Sequence, residues 1–214
     1  MATVLLARHG ETTWNRSGRV QGWAPTTLTE RGHDQATALS EYLASAYDLD
    51  RLVSSDLRRT QETARYVARE TGVGPVSDPA WRERDFGCLQ GLTVSELFGD
   101  HPEYALSQSG AAAATARPDS GETVIEARDR VLDAWGELHA DLSPGETVAV
   151  VAHGGPIRLL LGSILGYDIV DSVLSIEQDN CAVNEISASD PHVVRLNDTD
   201  YLPESLAVDS ETVA

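Results

Sequence analysis

Two histidines occupy matching places in this chain. Arg8-His9-Gly10 follows directly on the apolar run Val4-Leu5-Leu6-Ala7, and His153-Gly154-Gly155-Pro156 follows on Val148-Ala149-Val150-Val151-Ala152. A short apolar run of this kind reads as a buried strand, and open α/β sheets hold their ligands at the C-terminal ends of their strands. At such an edge an imidazole is a nucleophile or base, and a guanidinium forks onto the oxygens of an anion. Burying Arg8 there is costly without an anionic partner. The glycines allow close backbone approach, and Pro156 suits the first position of a helix whose free N–H groups attract negative charge. Each motif alone is weak, since a histidine at a strand end is more often a packed structural residue. Together they lead us to expect two imidazoles facing one phosphate-sized anion.

Elements must bring these residues together. A first strand is expected over residues 3–8, then a long loop over 11–29 with Gly18, Gly22 and Pro25. Thr29-Glu30-Arg31-Gly32 opens a helix with Ala36, Leu39, Tyr42 and Leu43 inward. Leu52-Val53-Ser54 reads as a strand and 56–70 as a helix facing inward through Leu57, Ala64, Val67 and Ala68. The stretch 73–121 is irregular and too poor in large apolar residues for a core of its own, which suggests a cap-like insertion at about 88–120. A long amphipathic helix follows at 122–142, then the second strand at 147–153 and a helix through Ile157, Leu160, Leu161 and Ile164. Further strands are expected at 173–176, 181–187 and 192–196. This alternation argues for one domain over 1–197, a three-layer α/β/α sandwich with a mostly parallel sheet. The acidic segment 198–214 is expected to be mobile.

The motifs in their order resemble the histidine phosphatase superfamily, also called phosphoglycerate mutase-like, over about residues 3–197. The resemblance rests on Arg8-His9-Gly10-Glu11-Thr12, Gly18-Arg19-Val20-Gln21-Gly22, Leu28-Thr29-Glu30-Arg31-Gly32, Ser55-Asp56-Leu57-Arg58-Arg59-Thr60, Arg82-Glu83, Phe86-Gly87 and His153-Gly154-Gly155. It implies that His9 is a nucleophile that becomes phosphorylated. Arg8, Arg59 and His153 would surround the phosphoryl oxygens, with Gly154 beside them and Asn15 and Gln21 as side-chain donors. The family spacing selects Arg59 over Arg58, which should then be an exposed ion-pairing residue. Glu83 matches the general acid. Glu11 is the competing carboxylate, or else orients Arg8 and His9, and Glu122 is expected to cap or charge the start of a helix. Two departures, Ala24-Pro25-Thr26-Thr27-Leu28 and Leu89-Gln90, should lie beside the phosphate pocket and bear on substrate contacts.

The resemblance implies a metal-independent phosphatase of small phosphomonoesters with no cofactor. Alternatives are a cofactor-dependent phosphoglycerate mutase, which must keep water from the phosphohistidine, and a non-catalytic phosphate-binding relative. The short, irregular cap and the absence of lysine favour the phosphatase. Composition narrows partners further: 34 acidic residues oppose 16 basic ones, all arginine, for a net charge of -18. A nucleic-acid partner is excluded by that balance. It also suggests a high-salt cytoplasm, because about 1 M salt cuts the Debye length to roughly 3 Å and screens carboxylate repulsion. Cys88 and Cys181 are expected to be buried thiols, and no signal segment or membrane span is visible. A soluble cytoplasmic protein is the expectation, with no oligomer specified.

Overall fold

The computed structural model describes residues 2–207. In chain order its elements are β1 (Thr3–Arg8), α1 (Thr13–Arg16), α2 (Glu30–Ala46), β2 (Arg51–Ser54), α3 (Arg58–Thr71), β3 (Pro75–Ser77), α4 (Val94–Asp100), α5 (Leu106–Ser109) and α6 (Ala111–Thr115). They continue with α7 (Val124–Ala140), β4 (Thr147–Ala152), α8 (Gly154–Leu165), α9 (Ile169–Leu174), β5 (Val183–Ser187) and β6 (His192–Asp198). Among the described residues there is a six-stranded sheet of order β3-β2-β4-β1-β5-β6. β3, β2, β4 and β1 run parallel, and β5 and β6 return antiparallel at one edge.

Strand alternation builds the layers. Val4, Leu6, Val148 and Val150 face Val131, Ala134 and Leu138 of α7 and Ile157, Leu160 and Leu161 of α8. Leu5, Ala7, Ala149 and Val151 face Leu39 and Leu43 of α2 and Ala64 and Val67 of α3. A strand apolar on both faces needs helices on both sides, which is the three-layer sandwich expected from the alternation. Thr29 caps α2 by accepting from Gly32 N. Pro156 is the third residue of α8, still within the turn where no intrahelical donor is lost.

The irregular stretch folds as short helices and turns against the body. Leu89 and Leu97 form a small cluster with Val20, while Leu106, Ala113 and Ala114 pack on Val124 and Ala127 of α7 and Leu159 of α8.

Several expectations are corrected. Residues 173–176 are not a strand: α9 covers Ile169–Leu174, because Asp168 caps the Val170 and Asp171 amides and the apolar residues recur at helical spacing. The segment after Asp198 packs down as far as residue 207 instead of trailing. Tyr201 stacks on Tyr42 with ring centroids 4.4 Å apart, Leu202 is buried, and Gln35 Nε2 donates to Leu206 O at 2.9 Å. Two large apolar side chains and a backbone contact outweigh its acidity; residues 208–214 of the expected tail lie outside the described residues. Cys181 is buried as expected, but Cys88 is exposed.

Candidate active site

β1 and β4 are parallel neighbours with Arg8 opposite Ala152, so the next residues leave the sheet side by side. His9 N donates to Ala152 O at 3.1 Å, and the His9 and His153 rings lie 5.2 Å apart in an edge-on arrangement. Two histidines 144 positions apart in the chain thus meet because of strand register alone.

Arg59, in the first turn of α3 and 1 % exposed, closes the group. Its Nε stands 3.2 Å from both His9 Nε2 and His153 Nδ1, while Nη2 and Nη1 donate to Gly22 O at 2.8 Å and Ala24 O at 3.2 Å. Those contacts fix the imidazole tautomers. His9 Nδ1–H donates to Gly10 O at 2.8 Å, which leaves the Nε2 lone pair facing Arg59. His153 Nε2–H donates to Ser55 Oγ at 2.9 Å, with its Nδ1 lone pair toward the same guanidinium. Burial first, then the Arg59 charge, holds both imidazoles well below their ordinary pKa, so both are neutral at pH 7. Burial also lowers Arg8 and Arg59 to about 10, and both remain charged. Arg58 is exposed and pairs with Glu62 at 2.8 Å.

Arg8 is anchored by Nη1 donating to Gln178 O, and its Nε is buried with no partner. Such an orphaned donor has a ligand's place beside it. Gly154 leaves room there: a Cβ on it would lie 3.7 Å from Arg8 Nε and 3.6 Å from Arg158 Nη1. Glu83 approaches from the cap side. Its Oε2 accepts from Gly155 N at 3.2 Å and its Oε1 from Arg84 N at 2.9 Å. A Cβ on Gly155 would sit 2.1 Å from Oε1, so the approach depends on that glycine. Trp23 Nε1 and Arg130 Nη2 both hold the Glu83 carbonyl.

The Asn15 and Gln21 oxygens are taken by Thr12 and by Thr12 with Thr26, which leaves their amide nitrogens as donors. Arg8, His9, Asn15, Gln21, Arg59, Glu83 and Gly154 all border one cavity of about 610 Å³. His153 is fully buried beside Arg59, in edge contact with the His9 ring.

The histidine phosphatase superfamily (branch 1) model matches residues 4–199. The chain belongs to that superfamily. It is 33% identical over 188 residues to a probable phosphoglycerate mutase from Cronobacter sakazakii, covering 87% of this chain and 85% of the relative. It is 34% identical over 203 residues to a metal-independent phosphoserine phosphatase from Arabidopsis thaliana, covering 94% and 79%. A mycobacterial glucosyl-3-phosphoglycerate phosphatase solved in complex with VO3 superposes with a TM-score of 0.78 at 30% identity, covering 91% and 98%. The protein is an enzyme of the histidine phosphatase superfamily.

Within this histidine phosphatase some residues do other work than expected. Glu11 borders the same cavity, but among the described residues its side chain makes no hydrogen bond to Arg8 or His9; its Oε1 accepts from Thr29 Oγ1 at 2.6 Å and ties the loop to the start of α2. Glu122 is not the cap of α7, since Thr123 and Glu126 form that capping box. It instead pairs with Arg130 at 2.9 Å and accepts from Asp85 N, bracing the segment that carries Glu83. The departures touch the site more closely than expected. Ala24 O holds Arg59, Thr26 holds Gln21, and Gln90 Oε1 accepts from Trp23 N.

Ser55, Arg84, Arg130 and Arg158 were not anticipated. Ser55 follows β2 as His9 follows β1, a signal the strand-end rule could have caught. Arg158 stands one helical turn beyond Gly154, also a readable spacing. Arg84 and Arg130 carry no local pattern; only packing places them.

Proposed function

We propose that this histidine phosphatase hydrolyses small-molecule phosphomonoesters through a phosphohistidine at His9, without a metal. The observation that carries the reading is the shared Arg59 Nε, 3.2 Å from each imidazole, in a cluster with Arg8. Two neutral imidazoles among guanidinium groups make a setting that attracts an anion and repels a metal ion. An arriving phosphoryl group takes over the Arg59 and Arg8 donors, together with the Asn15 and Gln21 amides, and frees the His9 Nε2 lone pair. His153 accepts from Arg59 Nε through Nδ1, which positions the guanidinium, and is itself held by Ser55.

In the first step His9 Nε2 forms a bond to phosphorus and the bond to the ester oxygen breaks. Protonated Glu83 gives its proton to the departing alkoxide. In the second step water attacks phosphorus, Glu83 carboxylate takes the water proton, and the P–N bond breaks to return neutral His9 and inorganic phosphate. The cavity reaches solvent at exposed Arg16 and Arg19, which favours water as the acceptor.

A mutase reading is favoured by the similarity to the Cronobacter relative. Incubation with 3-phosphoglycerate, with and without bisphosphoglycerate, separates the two. Free phosphate in the presence of EDTA, with an acid-labile phosphoenzyme absent from His9→Ala, is the expected result. Stoichiometric 2-phosphoglycerate without phosphate release makes it a mutase. No turnover of any ester, with wild type equal to His9→Ala, makes it a binding protein.

The charge balance supports adaptation to high salt. Stability and activity are expected to rise between millimolar and molar KCl as carboxylate repulsion is screened. A melting curve independent of salt overturns that part of the reading.

A further inference from the structure

Arg59 and Glu83 come from different parts of the chain. Arg59 stands in the first turn of α3, and Glu83 lies in the irregular stretch that leads to the cap. Their separation has to be held closely if the Glu83 proton is to reach the oxygen leaving a phosphoryl group bound at Arg59. Among the described residues their side chains make no hydrogen bond to each other, so a third residue has to set the distance.

Trp23 is placed to do so. The carbonyls on either side of it grip the guanidinium, Gly22 O accepting from Arg59 Nη2 at 2.8 Å and Ala24 O from Nη1 at 3.2 Å. Its own Nε1–H donates to Glu83 O at 2.7 Å. Two further contacts fix the indole. Trp23 N donates to Gln90 Oε1, and the Arg82 guanidinium covers the ring with Cζ 4.4 Å from its centre. Arg82 Nε donates in turn to Asp56 Oδ1 at 2.6 Å, and Asp56 follows Ser55, which holds His153. The path closes on itself, from Arg59 through Trp23, Arg82, Asp56, Ser55 and His153 back to Arg59 Nε. Arg130 also donates to Glu83 O, at 3.3 Å, but it holds Ala80 O and Arg82 O as well and anchors the whole segment to α7. Trp23 is what ties that segment toward Arg59.

We propose that Trp23 is a positioning residue, whose indole N–H sets the Glu83 carboxyl at its working distance from the phosphoryl group. This rests on the phosphatase reading and adds to it a residue that acts only through Glu83.

The test separates the indole N–H from the aromatic face. Trp23→Phe keeps a ring beneath Arg82 and removes the donor. Trp23→His keeps an N–H at the corresponding ring position, Nε2, and removes the larger face. Values of kcat/KM are compared for benzyl phosphate, whose alkoxide needs a proton, and 4-nitrophenyl phosphate, whose leaving group does not, with melting curves to confirm folding. Trp23→Phe should lower kcat/KM for benzyl phosphate by about 10- to 100-fold, the scale of a misplacement of up to one ångström. The 4-nitrophenyl ester should change by less than about threefold, because its departure draws little on the acid. Trp23→His should recover most of the loss. A loss shared by both esters, no loss on either, or a Trp23→His variant no better than Trp23→Phe overturns the proposal and leaves the phosphatase reading standing. Wild type that cleaves 4-nitrophenyl phosphate but not benzyl phosphate has no working acid to position, which also overturns it. Wild type that cleaves neither ester overturns the phosphatase reading itself.

Discussion

The phosphoryl end of the cavity and its cap end are built from different materials. At the phosphoryl end, six-residue strands deliver His9 and His153, and α3 and α8, of fourteen and twelve residues, supply Arg59 and the Gly154-Gly155 amides. Each of these side chains is nearly or fully buried and hydrogen-bonded to backbone or to another site residue. At the cap end, α4, α5 and α6 have seven, four and five residues, too short to stand without packing onto the body. The contrast teaches a division of labour. Groups that must meet within a fraction of an ångström sit on long, buried elements, and short ones line the rest of the cavity, through Val94, Leu97 and Phe98 of α4 and Leu106 of α5.

Loss of His9 is expected to have the largest effect. His9→Asn should lower kcat by about 10⁴-fold or more, while vanadate binding, read by calorimetry, persists on the remaining donors. Residual turnover within tenfold of wild type would place the nucleophile elsewhere. Glu83→Gln comes next, at about 10²- to 10⁴-fold for alkyl phosphates. In kcat/KM, which reports phosphoryl transfer to His9 and not the shared hydrolysis step, the loss should be much smaller for 4-nitrophenyl phosphate, whose leaving group needs no proton. Equal losses in kcat/KM on both esters would mean that Glu83 is not the acid for the leaving group.

A glycine pair tests the contrast between the two ends directly. Gly155→Ala pushes a methyl against Glu83 Oε1 and should cost roughly 100-fold on alkyl phosphates, the scale of a one-ångström misplacement. Gly99→Ala, in α4 with nothing within 4 Å of the added carbon, should leave rates unchanged. Similar effects at both positions would erase the distinction.

The smallest effect is on stability. Both buried imidazoles have folded pKa values depressed by desolvation, so below about pH 6.5 the unfolded chain binds more protons than the folded one. Stability should therefore fall as pH drops from 7.5 to 5.5, by about 1 kcal/mol per histidine. Denaturant titrations of wild type and His153→Asn should show a shallower slope in the variant. Identical slopes would mean that His153 is not held neutral.

Much of the phosphoryl end was legible because its signals are local. An apolar run, a histidine and a glycine are contiguous residues, and register between parallel strands does the rest. Helix geometry admits only one of Arg58 and Arg59 to the site, and it was the spacing shared with the family that selected Arg59; Arg58 faces solvent. The orienting role expected of Glu11 and the capping role expected of Glu122 failed for the opposite reason. A carboxylate's partner is chosen by packing, and Thr29 and Arg130 lie 18 and 8 positions away with no pattern to announce them. The β-branched residues of α9 suggested a strand until the Asp168 cap and the surface beneath it decided for a helix.

Taken by itself, the chain's order of residues determined the layer architecture, the strand ends that carry chemistry and the excess of negative charge. These follow from periodicity and composition, which any short window displays. Only the tertiary structure decided that one guanidinium nitrogen of Arg59 is shared by both imidazoles, that the segment through residue 207 packs down, and that Glu11 and Glu122 are held by Thr29 and Arg130. Such facts depend on which surfaces meet across long separations in sequence, and burial then assigns each polar group its partner or leaves it without one.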